Sequence, residues 1–76
     1  MKDKNADKYR RFGISVGYFR RLKGLTQEQL AEKMDVHVNS VRKIENAGTG
    51  TSSDMLFELS KALGVSLGEL FDHAKL

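Results

Sequence analysis

A single all-α bundle of five short helices is the fold this sequence predicts, and three observations carry the prediction. Apolar residues recur in short sets at helical spacing, and no stretch alternates apolar with polar residues as a strand would. Residues that start and stop helices punctuate those sets at close intervals. No proline occurs among the 76 residues, so nothing inside a set forces a break. A chain of this length makes one small domain, burying only about 60% of its unfolded surface and holding a thin margin of stability.

Residues 1–8 are polar and without apolar period, and are expected to form a flexible arm ahead of a domain over 9–76. Phe12, Val16 and Phe19 then recur at i, i+4, i+7, one face of a first helix. Gly13 and Gly17 weaken that helix by about 1 kcal/mol each relative to Ala, so tertiary packing must hold it. Ile14, Tyr18 and Leu22 make a second, adjacent row, wider than one core contact requires. Gly24 ends the helix at a left-handed cap. Thr26 and Gln29 form a capping box that opens a second helix over about 27–34, with Leu30, Ala31 and Met34 inward. Asp35-Val36 is a short turn. A third helix spans about 38–46, with Val41 and Ile44 as its core pair. Residues 47–53 are a loop by composition, and Ser52 or Ser53 caps a fourth helix over about 54–63. Its inward set is Met55, Leu56, Leu59, Ala62 and Leu63. Gly64 closes it and Val65 packs behind. Ser66 and Glu69 form a second capping box for a short fifth helix that buries Leu67, Leu70 and Phe71.

Composition removes several function classes. There is no cysteine, and His37 and His73 stand far apart without companion ligands, so neither a metal nor a cofactor site is expected. Glu28, Glu32 and Glu45 are not arranged with a histidine or a nucleophile, and there is no glycine-rich phosphate loop, so the chain does not read as an enzyme. No apolar run approaches the roughly 20 residues of a membrane span. The charged N-terminus is not followed by an apolar signal core, so the protein is expected in the cytoplasm. Charge is uneven. Residues 1–43 hold eleven Lys and Arg against five Asp and Glu, a net +6, while residues 44–76 hold two against five, a net −3. One end is therefore suited to face a polyanion.

The informative segment is LTQEQLAEKMDVHVNSVRKIEN, residues 25–46. Two short helices joined by a tight turn pack as a helix-turn-helix and expose the second helix as a ridge, which the major groove, about 12 Å wide, can admit. The segment resembles the phage repressor and Cro-type helix-turn-helix proteins, the Xre family. The residues that carry the resemblance are Arg20, Gly24-Leu25-Thr26-Gln27, Leu30-Ala31, Val36, Val41, Ile44-Glu45, Ala62-Leu63-Gly64-Val65-Ser66-Leu67 and Leu70-Phe71, so it extends over roughly residues 12–72. It implies a lambda-repressor-like bundle and a sequence-specific regulator of transcription that binds double-stranded DNA. Three positions depart from the family pattern. Asp35 replaces the usual turn glycine, but Asp tolerates a left-handed backbone. His37 stands where Ser or Thr caps the third helix. The loop after Glu45 is one residue longer and lacks proline.

Geometry and resemblance together assign the side chains. Val38, Asn39, Ser40, Arg42 and Lys43, at the start and outer face of the third helix, are the expected base contacts. Asn39 suits paired hydrogen bonds to adenine, Val38 a thymine methyl, and Lys43 guanine or a phosphate. Arg42 is open between base edge, phosphate and solvated charge. Gln27 sits at a helix N-terminus, where free N–H groups and the dipole favour an anion. The resemblance implies that Gln27 clamps a phosphate and that Asn46, where the recognition helix gives out, matches a second such contact. His37 and Lys23 complete the phosphate set, and Arg10 and Arg11 add diffuse attraction. The resemblance also implies a largely buried Arg20–Glu45 salt bridge between the first and third helices. A homodimer on a palindromic operator is expected, using Phe57, segment 65–76, or the row Ile14, Tyr18 and Leu22. The rival reading is an antitoxin-like or other protein-interaction module on the same fold.

Overall fold

The structure, a computed structural model, describes residues 4–76. Five helices follow one another: α1 (Ala6–Leu22), α2 (Gln27–Met34), α3 (Val38–Ala47), α4 (Ser53–Leu63) and α5 (Leu67–Ala74). Local chemistry explains most boundaries. The Thr26 hydroxyl accepts from the Gln29 N–H at 3.0 Å while the Gln29 side chain accepts from the Thr26 N–H at 2.8 Å. Ser66 and Glu69 repeat this reciprocal box at 3.0 Å in both directions. Ser52 caps α4 by accepting from the Met55 N–H at 3.2 Å. Each box satisfies two N–H groups that a helix start would otherwise leave without partners. Asp35 ends α2 in the left-handed region at φ 57°, which Asp reaches more readily than most residues.

α1 lies along α3 and α5, α2 packs against α3 and α4, and α4 meets α5. Where these faces converge, Val16, Leu30, Val41, Ile44, Leu59, Leu63 and Leu70 are fully buried. Leu25, Val36 and Phe19 are half-buried against that cluster. Ser15 is buried among them, and its hydroxyl donates to the Leu70 carbonyl at 2.7 Å, tying α1 to α5. Among the described residues, no buried side-chain polar atom lacks a partner.

The glycines of α1 acquire a reason that their helix propensity hides. A Cβ on Gly13 would stand 2.1 Å from the Ile44 carbonyl oxygen and 2.8 Å from that of Glu45. One turn on, a Cβ on Gly17 would stand 3.1 Å from a Glu45 carboxylate oxygen. At the far end of α3, Gly48 has φ +70°, and a Cβ there would lie 2.2 Å from the Tyr9 carbonyl oxygen. These three glycines let α1 and the end of α3 approach more closely than side chains permit. They weaken the helix locally and gain a tight seam in return.

Several expectations shift. α1 begins at Ala6, so residues 6–8 of the expected arm are helical; residues 1–3 of that arm lie outside the described residues. Asp7 explains the extra turn: it pairs with Arg10 at i+3 and with Arg11 at i+4 (2.9 Å), and its charge suits a helix start. Phe71 is 36% exposed instead of buried. Leu70 and Ala74 occupy the core side of α5, and Phe71 leans its ring on Phe12 at 5.7 Å from the rim. Met55, Leu56, Ala62 and Leu67 are half-buried. Ala47 and Ser53, expected in the loop, are helical, which leaves residues 48–52 to join α3 to α4.

Candidate nucleic-acid interface

α2, the Asp35 turn and α3 form the helix-turn-helix. Val41 and Ile44 anchor one side of α3 in the core, so Asn39, Arg42, Lys43 and Asn46 are exposed on the other. Val38 does not share that exposure: it is half-buried and packed against the core cluster, three residues before Val41. Ser40 is half-buried too. Asn46 lies within the last turn of α3, which runs to Ala47. Lys23 is exposed at the C-cap of α1. His37, a poor capping residue by composition, still caps α3: its Nδ1 accepts from the Asn39 N–H at 3.0 Å. In the neutral ring this leaves the N–H on Nε2, a donor on an exposed side chain.

Behind the exposed face, Arg20 on α1 grips Glu45 on α3 with two bonds, Nε to Oε2 at 2.6 Å and Nη2 to Oε1 at 3.1 Å. The two side chains are 12% and 8% exposed. Arg20 Nη1 also donates to the Leu25 carbonyl at 2.8 Å, just before α2. Gln27, the first residue of α2, donates from Nε2 to Glu45 Oε1 at 3.1 Å. A single carboxylate thus joins α1, α2 and α3 and fixes the angle at which α3 leaves the body. A second network lies on the exposed face. Arg42 Nη1 donates to Asn39 Oδ1 at 3.0 Å, and Arg42 Nη2 lies 3.6 Å from Glu28 Oε2 on α2. Arg10 and Arg11 are engaged with Asp7, and Arg11 also donates to the Lys75 carbonyl at 3.2 Å, so part of their charge is neutralised locally.

Sequence reasoning missed Glu28 as a neighbour of the expected base-contact residues, and it missed the glycine seam. The i, i+4 spacing of Gly13 and Gly17 places both on one helix face and is the signal that marks a close approach. Among the described residues there is no group of three or more His, Cys, Asp or Glu placed to hold a metal ion. No helix among them is long and apolar enough to cross a membrane.

A compact all-α body that braces α3 from behind and offers its polar face outward defines the class of helix-turn-helix DNA-binding proteins. The helix-turn-helix family model matches residues 12–70, and the chain belongs to that family, of the Xre type, whose members are DNA-binding regulators of transcription and not enzymes. It is 35% identical to an uncharacterized helix-turn-helix-type transcriptional regulator of Methanocaldococcus jannaschii over 54 residues, 71% of this chain and 82% of that protein. It is 32% identical to the competence pilus inhibition repressor of Acinetobacter baylyi over 59 residues, 78% of this chain but only 54% of that protein. Among solved structures, it resembles the clp gene regulator ClgR of Corynebacterium glutamicum with a TM-score of 0.83 at 28% identity, covering 90% of this chain and 88% of that one. It resembles the restriction-modification controller protein C.AhdI of Aeromonas hydrophila with a TM-score of 0.77 at 29% identity, covering 82% and 94% respectively.

Proposed function

We propose that this protein is a dimeric, sequence-specific repressor that inserts α3 into the major groove of a palindromic operator, acting on nucleoid DNA in the cytoplasm. The observation that carries the reading is the contrast across α3: Asn39, Arg42 and Lys43 are exposed while the opposite side is locked by the Arg20–Glu45–Gln27 network. Asn39 reads adenine through its amide, Lys43 reaches a neighbouring base edge or a phosphate, and Arg42 stands beside Asn39 on the same exposed face. Val38 and Ser40, being half-buried, offer smaller contacts at the start of the helix. Gln27 clamps a phosphate: one Nε2 hydrogen goes to Glu45, and the other is available beside the free N–H groups of the α2 N-terminus. Asn46, His37 through its Nε2 side, and Lys23 supply further phosphate contacts. Repression is favoured by one relative named a repressor.

Dimerisation follows from reach, since one short helix covers few base pairs and two-fold partners set half-sites about 34 Å apart. Ile14 and Leu22 on α1 and Phe57 on α4, at 56%, 62% and 62% exposed, are apolar side chains available to a second copy. Selection from a random duplex library, followed by titration in increasing salt, tests the proposal. An inverted repeat with half-sites one helical turn or a multiple apart should emerge. Affinity should fall by about 0.9 log unit per log unit of salt for each phosphate contacted. No enrichment, together with no duplex affinity at low salt, would refute it.

A further inference from the structure

Arg42 stands three residues after Asn39, and its guanidinium reaches both the Asn39 side-chain amide oxygen and a carboxylate on the neighbouring helix. We propose that Glu28 and Arg42 are positioning residues that set the orientation of the Asn39 amide and so sharpen its choice of base, an inference that rests on Asn39 being a base reader. Arginine only donates, so Arg42 can pair with Asn39 solely through Oδ1. Left alone, a terminal amide turns over easily, and turning over exchanges donor for acceptor. With Oδ1 held at 3.0 Å, the Nδ2 group has one direction, and the second lone pair of Oδ1 remains for a base donor. That is the arrangement adenine requires, one acceptor and one donor side by side. Glu28 draws the far end of the guanidinium toward another helix at 3.6 Å, which opposes Arg42 following a rotation of Asn39. The two side chains are 47% and 69% exposed, so solvent screens the pair in the free protein. A docked duplex excludes that solvent and strengthens the contact.

The charge of Glu28 makes the idea separable from plain electrostatics. A carboxylate near DNA repels phosphates, so its removal by electrostatics alone tightens binding to every duplex alike. Positioning predicts instead that discrimination shrinks. The test measures binding of the wild type, Glu28→Gln, Arg42→Met, the double variant and Asn39→Ala. The probes are the duplex enriched by selection and a set in which each base pair of the half-site is replaced in turn, with thermal melts alongside. Asn39→Ala should flatten preference at one base pair by about tenfold or more. Glu28→Gln and Arg42→Met should each reduce discrimination at that same base pair by about 2- to 5-fold. The double variant should be no worse than Arg42→Met, and the melts should be unchanged. Uniformly tighter binding of Glu28→Gln with preference intact overturns the inference, as does a loss by Arg42→Met at a different base pair, which would make Arg42 a reader itself. If Asn39→Ala leaves every preference untouched, the assignment of Asn39 fails first and the inference goes with it.

Discussion

On the side of α3 that faces α1, a methyl group added to Gly13 would stand 2.1 Å from a backbone oxygen, and the Arg20–Glu45 pair is 12% and 8% exposed. On the side that faces away, Asn39, Arg42, Lys43 and Asn46 are all exposed. One helix of ten residues thus has a face where almost nothing can change and a face where side chains can be exchanged without disturbing the fold. The difference shows how a small domain divides its labour. On the proposed reading, stability and aim reside in the seam and the choice of DNA opposite, so the two can be perturbed separately. Substitutions in the seam that break the ion pair or press on backbone should lower melting temperature and weaken binding to all duplexes in proportion. Substitutions on the outer face should leave melting alone and alter which duplex is bound.

The largest effect is expected from Arg20→Ala. Among the described residues, it leaves the Glu45 carboxylate with only Gln27 as a partner, and it also removes the bond to the Leu25 carbonyl. Breaking a buried ion pair from one side typically costs 3–5 kcal/mol, and the residual exposure here favours the lower end, about 3 kcal/mol. For a domain this small that is a fall in Tm of more than about 10 °C, measurable by thermal denaturation. The Arg20→Met/Glu45→Met double variant sharpens the comparison. Replacing both ions by apolar groups often recovers much of the loss, so it should melt well above Arg20→Ala. If Arg20→Ala melts with the wild type, the seam is not held by this pair.

Gly13→Ala comes next. Alanine favours a helix by about 1 kcal/mol over glycine, so propensity alone predicts stabilisation. The added methyl, however, meets the Ile44 and Glu45 carbonyls, and backbone of a packed helix cannot step aside cheaply. Overpacking of this kind typically costs 1–3 kcal/mol, and we expect a net loss of about 2 kcal/mol with weaker binding to specific and non-specific duplexes alike. A higher melting temperature would show that α1 and α3 are less closely apposed.

How far the sequence discloses this division depends on the range of the interactions involved. Capping boxes at Thr26 and Ser66, the left-handed positions at Gly24 and Gly64, and the core pair Val41–Ile44 are legible because each is set within a few residues of chain. The outer face of α3 is legible by subtraction, as what remains once the core pair is placed. Val38 is the exception, because helical spacing from Val41 turns it partly inward. The seam is much less so. Gly13 and Gly17 read as weaknesses because their use appears only when the far end of α3, at Ile44 and Glu45, packs back on them. Glu28 and Arg42 lie on different helices, and only the crossing of α2 and α3 brings them together. Phe71 reads as core because α5 is short, and whether its third apolar residue finds cover depends on how far α1 extends over it.

Asn39→Ala tests the outer face. The position is exposed, and its backbone N–H bond to His37 does not involve the side chain that is removed. Melting should therefore stay within about 0.5 kcal/mol of the wild type. Loss of a bidentate base contact weakens binding to the enriched duplex by about 1–3 kcal/mol and leaves non-specific affinity nearly constant. An equal loss on all duplexes would place Asn39 among the phosphate contacts, and a large fall in Tm would blur the distinction between the two faces.

The smallest effect is expected from Gly17→Ala, and it is the sharpest check on why the seam resists change. Gly17 lies one turn from Gly13, faces the same helix, and is also buried. The added Cβ would lie 3.1 Å from a Glu45 carboxylate oxygen and 3.2 Å from an Arg21 guanidinium nitrogen, side-chain ends instead of backbone. Arg21 is exposed and can swing away. Glu45 must yield by a few tenths of an ångström against the two bonds from Arg20, which offsets much of the roughly 1 kcal/mol that alanine gains in helix propensity. A net change within about 0.5 kcal/mol follows, a Tm shift of no more than a few degrees. A loss as large as that of Gly13→Ala would mean that the carboxylate is as immovable as the backbone. The ion pair, and not the close approach of the two chains, would then be what makes this side of α3 rigid.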